Sequence, residues 1–132
     1  MFASVFVLLY VAHLLSDYPF QTDHQASRKA EKSAAGWRAN LVHAGTHVAV
    51  SAAALAIGAL VLDLKPSAPA VLVALAWVGI SHSAIDRRRG VLAWMNRTGQ
   101  AEFVKHGGAA HVDQTAHITA LAIGALAMVG MS

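Results

Sequence analysis

Four apolar stretches, near residues 2 to 18, 38 to 62, 68 to 86 and 109 to 131, take up most of this 132-residue chain. A helix needs roughly 20 residues to cross about 30 Å of hydrocarbon, so these stretches read as membrane spans. With 56% hydrophobic and only 13% charged residues, the chain is too apolar for an ordinary soluble domain. The expected fold is therefore all-α, a single transmembrane domain over residues 1 to 132 built as an integral membrane four-helix bundle. Lys65, Pro66, Ser67 and Pro69 make a tight turn between the second and third stretches, because proline can start a helix but not continue one. Those two spans are then antiparallel neighbours. The first stretch is expected to be a retained helix rather than a signal peptide, since Met1 to Ser4 carries no lysine or arginine and no convincing small-residue cleavage site follows.

Basic residues orient the spans. Arg28, Lys29, Lys32 and Arg38 flank the first connection, and Arg87, Arg88, Arg89, Arg97 and Lys105 lie in the third; only Lys65 falls on the other side. The positive-inside rule puts both basic connections in the cytoplasm and both termini outside, in a multi-pass protein of the cytoplasmic (inner) membrane. Anchoring to anionic headgroups is the preferred account of Arg87 to Arg89, and no nucleic-acid partner is expected.

Within the apolar stretches, ionisable residues come in pairs four apart: His13 with Asp17, His43 with His47, His82 with Asp86, and Asp113 with His117. Residues at that spacing share one helix face, one turn apart. The pairs close the odd spans and open the even ones, so the alternating topology puts all four in one layer beneath the cytoplasmic surface. Charged and ionisable groups are expensive in a bilayer, and eight of them are best explained by one shared polar site. A hydrogen-bond network alone could be built from serine and asparagine at lower desolvation cost. His24, His106 and His111 come without such partners and read as ordinary interfacial residues.

The same order, an odd span ending in His-x-x-x-Asp and an even span beginning with a second pair, occurs twice and suggests two repeated helix hairpins. ALAIGAL also occurs twice, at 54 to 60 and 120 to 126, but at different offsets from the pairs. Small residues recur easily in membrane helices, so this repeat is weak support. The alanine and glycine faces of spans two and four are compatible with a homodimer.

Cysteine is absent, so a metal would be held by imidazole and carboxylate. That donor set suits zinc first, then manganese or iron, and suits magnesium or calcium less. Asp17, Asp86 and Asp113 bring three negative charges, which two divalent ions with a bridging hydroxide would balance. The expected cofactor is a divalent metal, two ions in all, on His13, Asp17, His43, His47, His82, Asp86, Asp113 and His117.

HLLSDYPFQTD at 13 to 23, HAGTH at 43 to 47, SHSAID at 81 to 86 and DQTAH at 113 to 117 together resemble the small membrane proteins of domain-of-unknown-function family 3307, over most of the chain. More distantly the arrangement is similar to families labelled membrane-bound metal-dependent hydrolases, which implies metal chemistry. On the matching positions the resemblance points to the eight paired residues with Gln21 and Gln114. The chain departs from the pattern at Arg87 to Arg89, where an aromatic residue and then lysine are expected.

The function expected is metal-assisted hydrolysis, in which the ions make a bound water nucleophilic near neutral pH and polarise the bond it attacks. The depth of the site suggests a phosphoester in a lipid headgroup, or another phosphorylated small molecule. Gln21 and Gln114 are candidates to orient water or substrate, and Asp23 is a candidate general base, with a helix-cap role as its alternative. A di-iron redox enzyme, a proton or metal-ion carrier and a noncatalytic membrane partner protein remain alternatives. Between spans three and four, Val91, Leu92, Trp94 and Met95 are expected to rest in the interface, Trp37 and Trp94 to act as anchors, and Gly107 and Gly108 to free the turn into span four.

Overall fold

Polar side chains cap the starts of three of the helices. The protein is described by a computed structural model covering all residues, Met1–Ser132, with seven helices and no strand: α1 Phe2–Asp17, α2 Asp23–Arg28, α3 Ala34–Val61, α4 Ala68–Asp86, α5 Arg89–Arg97, α6 Ala101–Lys105 and α7 Gly108–Gly130. Thr22 and Gln25 form a reciprocal capping box at the start of α2. The Ser33 side chain accepts from the Gly36 amide at 3.0 Å, which starts α3 at Ala34 rather than near residue 38. Ser67 caps α4 through the Ala70 amide, with Pro69 in the first turn.

Helices α3, α4 and α7 are long and apolar enough to cross a membrane, and they mark the chain as a membrane protein. Helix α1 is apolar but has 16 residues, roughly 24 Å at about 1.5 Å per residue. Helix α1 packs on α3 and α7, and α4 packs on the same two helices. Large apolar side chains face outward: Leu60 is 86% exposed, Leu72 and Ile80 68% each. Polar groups are inside instead, among them five histidines, Asp17, Asp86, Asn40 and Arg87. This inversion is what hydrocarbon as the surrounding solvent selects.

The interior divides along the helix axes. One half is an apolar core of Val5 and Leu9 from α1, Leu55 from α3, Ala70, Ala74 and Val78 from α4, and Leu121, Ala125 and Met128 from α7. The other half holds the paired residues. Small side chains let the backbones approach. A Cβ added at Gly58 of α3 would strike Leu8 of α1, and one added at Gly124 of α7 would come 2.9 Å from Trp77 of α4. Both glycines belong to the ALAIGAL repeats, and both receive a side chain five residues before the histidine of an odd-span pair, Leu8 before His13 and Trp77 before His82. The two halves of the chain thus make the same contact, with the even helix slipped by one turn.

Trp77 also donates from its indole to the Ala120 carbonyl at 2.7 Å. Gly124→Val should therefore push the indole off both its notch and its acceptor. We expect a loss of about 1–3 kcal/mol, read as a lower midpoint of thermal unfolding in detergent, whereas Gly130→Val, which meets nothing, should be close to neutral.

Three short helices fill the connections on the polar side. In α5, Val91 and Met95 turn inward and are 8% and 0% exposed, while Leu92 and Trp94 are 38% and 62% exposed. Only the latter two are available to the interface; Val91 and Met95, four apart on one face, pack into the protein because α5 lies on α4 and α7. Gly107 holds a φ of 84° at the entry to α7, a left-handed turn that glycine adopts without strain.

Candidate metal centre

All four pairs meet at the polar end of the helices. His13 and Asp17 come from the last turn or so of α1, His82 and Asp86 from the end of α4, His43 and His47 from the first half of α3, and Asp113 and His117 from the first half of α7. The register of each helix is fixed by its apolar half. The four-residue spacing then aims both members of a pair inward. His13, Asp17, His43, His47, His82, Asp86 and His117 are all buried, and Asp113 stands at the rim with its side chain 22% exposed.

Asp17 is the hub. Its Oδ1 lies 3.1 Å from His43 Nε2, 3.2 Å from His47 Nε2 and 3.8 Å from His82 Nε2. Its Oδ2 lies 3.2 Å from His13 Nε2 and accepts from Gln114 Nε2 at 3.4 Å. Asp86 is the second hub, with Oδ2 3.1 Å from His82 Nε2 and 3.5 Å from His43 Nε2, and Oδ1 3.5 Å from His117 Nε2. His117 Nε2 is also 3.5 Å from Asp113 Oδ2. The imidazoles crowd one another as well, with the His47 and His82 ring centres 3.5 Å apart and those of His82 and His117 4.3 Å apart.

Hydrogen bonding alone does not account for this packing. Each neutral imidazole has one donor, and three ring nitrogens converge on the single oxygen Asp17 Oδ1. Although His82 Nε2 and Asp86 Oδ2 are close, neither makes a hydrogen bond in this geometry, and His13 Nδ1, Asp113 Oδ1 and His117 Nε2 are likewise buried without a partner. Buried polar atoms in native proteins are nearly always satisfied. The arrangement fits a divalent ion better, since donors held about 2.1 Å from a tetrahedral ion lie roughly 3.4 Å from each other. Three sets have donors within 4.8 Å of one another: Asp17 with His43, His47 and His82; His13 with His82 and His117; and Asp86 with Asp113 and His117. The first is a four-donor set; the third is a three-donor, carboxylate-rich set.

A cavity of about 570 Å³ opens onto the carboxylate side and is lined by Asp17, Asp86 and Asp113 together with Gln21, Gln114 and Lys29. Gln114 is wedged into the cluster, its Oε1 3.2 Å from His13 Nε2. Gln21 donates to the Asp17 backbone carbonyl at 2.6 Å and leaves its own buried Oε1 unpartnered. Asp23 stands apart from the cluster, exposed in the first turn of α2, where Thr22 is the cap. His24, His106 and His111 are exposed.

Two residues of the centre lay outside the sequence-based set. Lys29, just beyond α2, reaches in so that its Nζ is 3.1 Å from Asp86 Oδ1, 3.2 Å from His43 Nε2 and 4.0 Å from Asp17 Oδ1, with its side chain 11% exposed. Arg87 holds that lysine's loop in place. Its guanidinium donates to the carbonyl oxygens of Lys29 at 2.9 Å and of Glu31, and lies 4.1 Å from the centre of the Trp37 ring. Arg87 is 8% exposed, so it is a buried clamp and not the headgroup anchor expected of it; Arg88 and Arg89 are exposed. Gly36 completes the seat, because any side chain there would collide with the Glu31 carbonyl. A lysine in a basic connection carries no local signal of this role. Arg87 does carry one, as a charge directly following a site aspartate.

Asn40 and Ser83 brace the layer from behind, Asn40 donating to the Ser83 carbonyl at 3.1 Å and accepting from the Ser83 hydroxyl.

The profile of the family described as "Protein of unknown function (DUF3307)" matches residues 5–132, and the chain belongs to that family. Neither the curated proteins nor the solved structures contain a match to it.

Proposed function

We propose that this member of the family is a membrane-embedded, metal-dependent hydrolase whose His/Asp centre faces the cytoplasm and acts on a phosphoester, in a lipid headgroup or a small phosphorylated molecule. The observation that carries the reading is the convergence of five buried imidazoles and two buried carboxylates from four helices, with donor spacings suited to a divalent ion. Helices α1, α3, α4 and α7 form the membrane bundle, with α1 completing it as the shortest span and both termini outside. The charge asymmetry supports that orientation: Lys29, Arg87, Arg88 and Arg89 lie on the side of the cluster, and only Lys65 lies on the other.

Zinc is the first choice of ion, and manganese or iron suits the same nitrogen and oxygen donors. The residues that would hold metal are drawn from His13, Asp17, His43, His47, His82, Asp86, Asp113 and His117, with Asp17, His43, His47 and His82 as the four-donor set. When bound, such an ion supplies Lewis acidity and an activated water. The chain's own residues do the rest. Gln114, touching both His13 and Asp17, fixes their orientation, and its position on the cavity wall lets it hold a substrate oxygen or the attacking water. Gln21 lines the same cavity and has a buried carbonyl oxygen without a partner. The apolar half beyond the cluster closes the other side, as a one-sided pocket requires. It offers no relay of ionisable groups, which weighs against a carrier.

The test is release of phosphate from a panel of phosphoesters, including phospholipids in mixed micelles, by detergent-purified protein supplied with zinc, manganese or iron. Turnover is expected only with metal. Gln114→Ala should retain the metal and lower turnover by about 10²-fold, the scale of a lost positioning or polarising contact. Metal-replete protein inert on every phosphoester would sink the hydrolase reading.

A further inference from the structure

Counting charge in the centre leads to a different number of ions from that implied by its aspartates alone. Asp17, Asp86 and Asp113 bring three negative charges. Lys29 adds a positive charge in the middle of them, touching Asp86 Oδ1 and His43 Nε2 and standing 4.0 Å from Asp17 Oδ1. It therefore bridges the Asp17 set and the Asp86 set of donors. No other cation does so: Arg87 faces two carbonyls and the Trp37 ring, Arg88 lines the cavity but pairs with no carboxylate, and Arg28 pairs with Glu31 at 3.7 Å.

The placement is built. Lys29 arrives on a loop that is pinned by both terminal nitrogens of a buried arginine and that fits only because residue 36 lacks a side chain. A lysine present merely to mark topology has no need of such a seat, since it can extend its ammonium into the headgroups at little cost. Leaving the ammonium near so many imidazoles is favourable only where the carboxylates compensate it.

We propose that Lys29 is the second cation of this centre: its ammonium, held against Asp86 and near Asp17, supplies the positive charge that a second divalent ion on the Asp86, Asp113 and His117 set would supply, so the chain binds one ion where its side chains would otherwise hold two. One divalent ion and one ammonium balance three carboxylates. This inference rests on the reading of the cluster as a metal site, and it replaces two ions and a bridging hydroxide with one ion and a tethered cation. Arg87 is the positioning residue, acting through the loop and not on the ion.

The experiment is zinc binding to detergent-purified full-length protein by equilibrium dialysis, comparing the parent with Lys29→Met, Lys29→Arg and Lys32→Met. Lys32 is exposed on the same loop, so its variant carries the same change in net charge without touching the centre. The parent, Lys29→Arg and Lys32→Met should each bind about one zinc per chain, while Lys29→Met should take up a second with at least about tenfold higher affinity than the parent shows for it. Arg87→Gln should shift in the same direction by a smaller factor. Lys29→Gln repeats the test in case the methionine variant does not fold. Two tight zinc ions in the parent, or identical binding by the parent and both neutral Lys29 variants, would overturn the proposal while leaving the metal reading standing. Absence of zinc from the parent and from every variant would overturn the metal reading, and this proposal with it.

Discussion

Asp17→Ala should be the most damaging single substitution in this protein, costing about 3–5 kcal/mol of stability and most of its metal. The first figure is the scale for removing one partner from a buried ionic cluster. Asp17 is chosen because its two oxygens are shared by His13, His43, His47 and His82, with Gln114 and Lys29 also within reach. Truncating it leaves the Lys29 ammonium with one carboxylate fewer and strands several buried nitrogens at once. Asp113→Ala is the matched comparison. Its carboxylate is partly exposed and contacts His117 alone, so water can replace much of what is lost and the effect should be well under half as large. Chemical or thermal unfolding in a mild detergent, with metal content measured on the same samples, decides the ordering. Equal effects of the two substitutions would mean that Asp17 is not the hub the distances imply.

Removing the metal should be the second large perturbation. An ion that binds only the folded chain stabilises it in proportion to the logarithm of its concentration over its dissociation constant, about 4 kcal/mol at roughly a thousandfold excess. The structural reason is crowding: without the metal ion, five imidazoles and two carboxylates from α1, α3, α4 and α7 are packed with more close contacts than hydrogen bonds to satisfy them. Chelation should lower the unfolding midpoint sharply, and adding back zinc should restore it. The Gly124→Val variant, damaged in the apolar half, should lose the same increment on chelation as the parent, because the two halves of the interior are separate. A chelated parent as stable as the metal-loaded one would instead indicate a polar cluster that holds the helices together unaided.

Much of this arrangement was legible in the residues before any coordinates. The apolar runs locate the long helices to within a few residues, because length and hydropathy alone decide which segments hydrocarbon accepts. The pairs could be placed in one layer because four-residue spacing and alternating helix direction are both geometric facts. What escaped is whatever depends on tertiary contacts between remote segments. Lys29 reads as a topology charge until Arg87, 58 residues away, is seen holding its carbonyl. Gly36 looks like a poor helix residue until the Glu31 carbonyl is found against it. Val91 and Met95 look like an interfacial face until α5 is laid on α4 and α7. The capping box at Thr22 and Gln25 is different: T-D-H-Q carries its own local signature and announces a short helix before the lysine.

Every functional reading of this chain depends on the cluster holding a metal ion. Its most direct test is elemental analysis of detergent-purified protein, with metal counted per chain, beside a His47→Ala, Asp86→Ala double variant and a His106→Ala control. The account predicts about one tightly held zinc, manganese or iron ion in the parent and in His106→Ala, and almost none in the double variant. Equal metal content in all three, or no bound metal in the parent, would contradict it.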